Sequence, residues 1–494
     1  MKAMNISDVG SFPFPTAPNT SQLKAALKVL IDIGLIENSN IYSTGGDGRI
    51  TSLGRSVSRL PLNARFGKML LVGAQADVLD YAIAIVAILS EVTPFLTMSE
   101  KINSLEKDND DSKCDQKEKS KAEQKNQWFH PHGDVLAALV AVGANSFAGR
   151  GARGASELNA CKRFCEENGL SFVVMQRIQK LRKQLAKLVK LRMPCAKGIA
   201  ARTGGVMYNM PPPNRLQENI LSQSVLSGFL DNVAQIAPPG SVTGDISFRL
   251  ANRAYYSCNP AIVEPIFIDH NSFLFTKDFR KLPQFVCYGS LVRKPTKDGS
   301  TISCMANVTC VDQTWLGILA EGSPLLSLGE PMLSPPPTYD TKQEAVLCSI
   351  STKYGHHGWS IPPVRRVMYD YLENWKGRSS QITTRDSFRW FARALLEGKV
   401  MKELDNLPSM LNDSPAIITA RKPAAKVVML VSALADNGID NGPALRKHWA
   451  EVNEQFLFRE LKAWTNKESF DEAKRLWVNG VKHMVRCWRN NEAL

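Results

Sequence analysis

The sequence predicts a multidomain α+β chain: a winged helix, a helical bundle, an OB-type β-barrel and a mainly helical C-terminal domain. Three observations predict it. The chain has 494 residues, 44% of them hydrophobic, enough for three or four domains at roughly 100–200 residues each. Near Asp245 the pattern changes from helical periodicity to short β-rich runs cut by Gly, Pro, Asn and Asp. Seven of the nine tryptophans (Trp359, Trp375, Trp390, Trp449, Trp464, Trp477 and Trp488) come late, at helical spacings that mark a core.

The elements follow in order. Leu23, Leu27, Leu30 and Ile31 form the apolar face of a helix over 19–34, with Asn19 or Thr20 as its cap. Residues 41–44 and 49–52 flank Gly45-Gly46-Asp47-Gly48 and read as a hairpin. A further helix over 64–72 completes a winged helix at 19–76. Residues 78–89 are apolar on nearly every side and predict an enclosed helix. Ser99 to Asn126 holds seven Lys and eight Asp or Glu and reads as a flexible insertion. Helices are expected over 134–142, 158–167 and 172–191, making 77–245 a helical bundle. Gly149 to Gly154, an arginine–glycine run, reads as an ordinary loop. Strands are expected at 261–268, 272–275, 284–288 with 291–292, and 301–310, with a short helix at 315–320. These give the barrel at 246–333. Residues 334–345 form a Pro-rich linker, and 346–494 the C-terminal helical domain, with helices at 386–404 and 443–489.

Composition narrows the function. No GxxxxGK[ST], HExxH or GxSxG is present, so no catalytic residue is assigned. His130, His132 and Asp134 resemble a metal cluster only on paper; their spacing before a helix fits a capping turn, and no metal site is assigned. The ten cysteines form no CxxC pair and read as reduced thiols inside a cell. The longest apolar run, Tyr81 to Ser90, is too short for a membrane span of about 20 residues, and no secretory signal is visible. A net charge of +14 points to a polyanionic partner, most often nucleic acid.

That charge is localised. Between Glu167 and Glu218 there is no acidic residue but ten Lys or Arg, including Lys180, Arg182, Lys183, Lys187 and Lys190. Val174, Ile178, Leu181, Leu185 and Leu188 make an apolar stripe along the helix over 172–191, and the four lysines share another face. That face either touches phosphates or is merely solvated. Arg293 and Lys294 follow the strand ending at Val292, with Lys297 in the next turn. They are placed where a nucleic-acid strand would leave the barrel, or at a solvated hairpin tip.

Several segments, taken in order, resemble the C-terminal half of the DEAH-box RNA helicases. They are Phe12 to Pro18, Leu60 to Leu71, Val78 to Phe95, Gly133-Asp134, Phe164 to Asn168, Arg182 to Leu185, Ser272 to Phe275, Pro283 to Val286, Asn307-Val308 and Trp315-Leu316. Val346 to Cys348, Gly358 to Pro362 and Phe391 to Gly398 are similar to the extra C-terminal domain of the nucleolar subgroup that releases U3 small nucleolar RNA. The resemblance makes 77–245 the ratchet (HA2) bundle and 1–18 a stub from the second RecA domain. It also implies an RNA contact at Ser272, the one identity kept where the family's His-Pro-Ser-Ser turn reads Asp269-His270-Asn271-Ser272.

The implied function is the RNA-binding portion of an ATP-dependent RNA helicase in rRNA processing and small ribosomal subunit assembly. Its address would be the nucleus and nucleolus. The implied partners are single-stranded RNA (pre-rRNA or snoRNA), pre-ribosomal assembly factors and a RecA half if the gene is split, with no membrane. No cofactor is assigned to this chain, because ATP and Mg would belong to the RecA domains; the chain alone is expected to be inactive. The alternative is a non-catalytic assembly or scaffold factor derived from such a helicase.

Overall fold

A computed structural model describes residues 1–6, 9–10, 12–37, 48–96, 127–148, 154–193, 209–242, 248–295, 301–375, 382–420 and 424–490. The chain divides into two units, Met1–Ser327 with Tyr354–Ile361, and Leu328–Lys353 with Pro362–Leu494.

In the first unit, helix α1 (Thr20–Asp32) begins where the Asn19 side chain accepts the Ser21 N–H. It ends at Ile33, whose carbonyl accepts the buried Lys68 ammonium at 2.7 Å. Helices α2 (Ser52–Ser58) and α3 (Ala64–Gln75) are capped by Thr51 and Asn63. Most of the expected hairpin lies outside the described residues. Ile36 and Ile50 form an antiparallel bridge, but Thr51, expected in the second strand, caps α2 instead. Helix α4 (Leu79–Leu89) is apolar all round, so its neighbours must enclose it; all but Asp80 and Leu89 are buried. Helices α5 (Asp134–Ala148), α6 (Ala155–Glu167), α7 (Phe172–Arg192) and α8 (Arg215–Gly228) complete the bundle. The insertion at 99–126 and residues 149–153 of the arginine–glycine run lie outside the described residues.

The same unit holds a seven-stranded sheet: β1 (Val233–Ile236), β2 (Ala254–Ser257), β3 (Ile266–Ile268), β4 (Phe285–Cys287), β5 (Ser290–Pro295), β6 (Thr301–Ala306) and β7 (Thr309–Cys310). Their order is β5-β6-β3-β2-β1-β4-β7. All pairs are antiparallel except β3 with β6. The closed barrel expected from sequence is corrected to a curled, open half-barrel, whose end strands β5 and β7 do not pair with each other. Ser272 to Phe275 is not a strand. Ser272 N–H bonds the Asp269 carbonyl and Phe275 N–H bonds that of Ser272, which folds the segment into consecutive turns. Helix α9 (Gln313–Leu319) follows, capped by Asp312.

Strands β8 (Leu326–Met332), β10 (Ala345–Tyr354) and β11 (Trp359–Val367), which lie mostly in the second unit, form a sheet in the order β11-β10-β8, and β9 (Thr338–Asp340) pairs with β10. The proline-rich stretch therefore ends in a paired strand. Six helices follow: α10 (Met368–Asn374), α11 (Thr384–Leu396), α12 (Ala425–Asp436), α13 (Gly442–Glu451), α14 (Phe458–Trp464) and α15 (Phe470–Asn490). Trp449, Trp464 and Trp477 are core residues, and Trp449 meets Trp477 edge to face at 5.7 Å.

Bundle and half-barrel meet at the start of α5. The Asp134 carboxylate accepts Ser272 Oγ at 2.7 Å, Phe273 N–H at 2.8 Å and Val308 N–H at 2.9 Å. Its own N–H donates to the Val308 carbonyl. Gly133 has φ +102°, and a Cβ there would lie 2.3 Å from the Val308 oxygen, so glycine is required. Asp134→Ala would strand two backbone donors and a hydroxyl, each costing about 1–3 kcal/mol. A loss of about 3 kcal/mol or more is expected, read by hydrogen exchange as lost protection at the Phe273 and Val308 amides.

A second polar node lies under α1. Arg65 clamps Asp231 through two bonds of 2.5 and 2.6 Å and also donates to the Gly228 carbonyl. Burial pushes the nearby Asp32 carboxyl up to about 6, Lys28 and Arg65 opposing and Asp231 reinforcing. The folded state therefore holds that proton more tightly than the unfolded chain, whose carboxyl titrates near 3.8. Stability should fall as pH rises from about 4 to about 6. Thermal melts across that range should show a shallower fall for Asp32→Asn, and a higher Tm at neutral pH.

Candidate nucleic-acid interface

Helix α7 carries the densest positive charge in the first unit. Ser171 caps its N-terminus. Its inner face is Val174, Met175, Ile178, Arg182, Leu185 and Val189, all buried, and it packs on α4 and α6. The real stripe is therefore rotated slightly from the expected one: Leu181 and Leu188 are only half-buried. Lys180, Lys183, Lys187 and Lys190 are all exposed, at steps of three and four residues that stack them along one side. Lys180 and Lys183 also border a groove of about 520 Å³, lined further by Phe172, Gln176, Gln179 and Glu157.

Two of the expected contacts are corrected. Arg182 is 1% exposed and points into the bundle. Burial pulls its guanidinium below the usual value, while the Asp80 carboxylate pulls it back up. The signal was present: Arg182 stands four residues after Ile178 and three before Leu185, on the apolar side of the helix. Ser272 is also buried. Its hydroxyl donates to Asp134 and accepts the Leu274 N–H at 3.2 Å, so it holds the turn.

The remaining pair lies on edge strand β5. Arg293 is exposed. Lys294 is engaged by Asp269 at 2.6 Å, and the same carboxylate accepts the Asn271 N–H. The turn that departs from the family pattern thus carries an acid that neutralises one of the two cations. Lys297 lies outside the described residues.

His130 and His132 are tied to one neighbouring helix. His130 Nε2 lies 3.2 Å from Glu218, and His132 Nδ1 lies 3.1 Å from Ser222 Oγ, both on α8. Among the described residues no cluster of His, Cys, Asp or Glu could hold a metal ion. Among them, too, no helix is long and apolar enough to cross a membrane.

Residues 63–138 match the ratchet-like helicase-associated domain, HA2. Residues 403–480 match the C-terminal domain of the DEAH helicase DHX37. The chain is homologous to the C-terminal region of the DEAH-box RNA helicases. Its relatives include the probable ATP-dependent RNA helicase DHX37 of Homo sapiens, 28% identical over 98% of this chain and 38% of the relative. The probable ATP-dependent RNA helicase kurz of Drosophila melanogaster is 28% identical over 97% of this chain and 37% of its own length. The probable ATP-dependent RNA helicase DHR1 of Saccharomyces cerevisiae is 29% identical over 47% of this chain and 19% of its own length. The chain thus spans less than two fifths of these helicases. The HA2 match takes in the enclosed helix α4 and the Gly133-Asp134 pair.

The two kinds of cation on α7 should separate on mutation. Arg182→Ala empties a buried site and leaves Asp80 without its charge partner, so a loss of about 2 kcal/mol or more is expected. Lys180→Ala and Lys190→Ala should stay within about 0.5 kcal/mol of the parent. Urea denaturation of the three variants side by side checks this.

Proposed function

We propose that the chain is the RNA-binding C-terminal portion of an ATP-dependent DEAH-box RNA helicase that acts in rRNA processing and small ribosomal subunit assembly. The observation that carries the reading is the exposed lysine face of α7, set in an acid-free stretch and packed on α4, which lies in the segment matched by the helicase-associated domain. Lys180, Lys183, Lys187, Lys190 and Arg293 contact RNA phosphates. Arg182 and Ser272 position the elements that carry those cations. Phosphate contacts are indifferent to base sequence, which suits a clamp that holds a strand while other domains separate the duplex.

On this reading the half-barrel is an OB-type fold, residues 19–76 a winged helix, and residues 346–494 a C-terminal helical domain. ATP and Mg²⁺ are bound by RecA domains outside this chain. The partners are pre-rRNA or snoRNA and pre-ribosomal assembly factors, and the address is the nucleolus, in line with the homology to DHX37 and DHR1.

The test is a pair of substitutions on the lysine face. Each phosphate contact to a single strand contributes about −0.7 to the slope of log affinity against log salt. Lys183→Ala with Lys187→Ala should weaken binding of single-stranded RNA and flatten that slope by roughly one to one and a half units. Fluorescence anisotropy over a salt series measures both. An unchanged affinity and slope in the folded double variant would move the contact away from α7.

A further inference from the structure

The last helix of the second unit, α15, is two-sided. Ala473, Trp477, Gly480, Val481, Met484, Val485 and Cys487 are buried, and the helix packs on α13 and on the turn at Lys402–Leu404. The opposite side carries Arg475, Asn479, Lys482, Arg486 and Arg489, all exposed. Their steps of four, three, four and three residues place them in one sector about 80° wide. The row runs for about 21 Å, at 1.5 Å per residue.

The row is not neutralised. From Ala473 to Asn490 there is no acidic residue. Asp471 and Glu472 sit in the first turn, where the helix dipole favours them. Among the described residues, none of the four cations has an ion pair. Cations on α11 and α6, by contrast, are matched by acids close by in sequence. On α11, Arg389 pairs with Asp386 at 3.1 Å and Arg393 with Glu397 at 2.6 Å. On α6, Lys162 and Arg163 face Glu166 and Glu167 at 3.8 Å. On α15 itself, the flanking His483 meets Glu403 at 2.6 Å and Lys474 lies over the Phe458 ring. Like charges three and four residues apart repel, so the row works against the helix that carries it.

We propose that this face of α15 is a second phosphate-binding surface of the chain, which takes the backbone of RNA. Three of the four cations are arginines, whose planar forks grip phosphate oxygens in pairs. No apolar anchor of the kind that centres a protein interface accompanies the row. Its interspersed residue is Asn479, and the exposed Trp488 lies on another side, with its ring N–H toward Glu451 at 3.3 Å. Lys482, Arg486 and Arg489 fall beyond the segment matched by the C-terminal family domain, which ends at 480.

The inference rests on the reading of the chain as an RNA-binding module, and the experiment keeps the two apart. The full chain, its Lys183→Ala/Lys187→Ala variant and an Arg475→Gln/Lys482→Gln/Arg486→Gln variant are titrated against a fluorescein-labelled uridine oligomer of about 30 nucleotides, long enough for more than one site. Removing three contacts should flatten the salt slope by about two units and weaken binding roughly tenfold. An Arg475→Lys/Arg486→Lys variant, which keeps the charge, should retain the slope. Photocrosslinking of the unmodified chain to thiouridine-substituted RNA should label the peptide over 475–489 whether or not the glutamine variant folds. A parent chain that binds no RNA overturns both proposals. A parent that binds, with the folded glutamine variant unchanged or the 475–489 peptide unlabelled, overturns this one alone and leaves the face to solvent or an acidic protein.

Discussion

The Asp134 carboxylate is the interaction on which the first unit depends. It sits at the first residue of α5, so its charge also meets the positive end of the helix dipole. Its three donors come from two turns of the half-barrel, at Ser272-Phe273 and at Val308. One side chain therefore fixes the angle at which the bundle meets the sheet. Gly133 permits the approach, because any Cβ would strike the Val308 carbonyl. The family-like Ser272 is part of this joint.

Charge in the first unit is sorted by depth. Arg182 and Lys68 are buried and Arg65 is half-buried; Lys68 donates to the Ile33 carbonyl and Arg65 to Asp231. Such buried groups specify geometry, since an ion taken from water and left unmatched costs several kcal/mol. The lysines of the α7 face are exposed, and exposed substitutions usually cost little stability. The lysine face of α7 in the first unit and the arginine-rich row of α15 in the second follow one rule: an inner apolar face, an outer basic face and no acid along the stretch.

How much was legible depends on the range of the interactions. Helices α1, α3, α4 and α7 show in the sequence because caps and apolar spacing lie within a few residues of each other; the expected 172–191 meets the observed Phe172–Arg192 almost end to end. The lysine face was legible for the same reason. Strands β1 and β2 were not. Each has four residues, too few to show a period, and their partners are remote: Gln235 opposes Tyr256 on one side and Phe285 on the other.

By itself, then, the sequence determined helices such as α1, α3, α4 and α7, the site of the excess charge and the kinship with the helicases, since all three are written in local spacing and residue order. Tertiary structure alone decided the distant partners of the polar residues in those segments. Ser272 to Phe275 has the composition of a strand and becomes a turn because Asp134, 138 residues earlier, supplies an acceptor for the Ser272 hydroxyl and the Phe273 amide. The sheet stays open because pairing leaves β5 and β7 at opposite ends. Hydrogen bonds and strand pairing of this kind are set by distances in space, and no pattern along the chain encodes them.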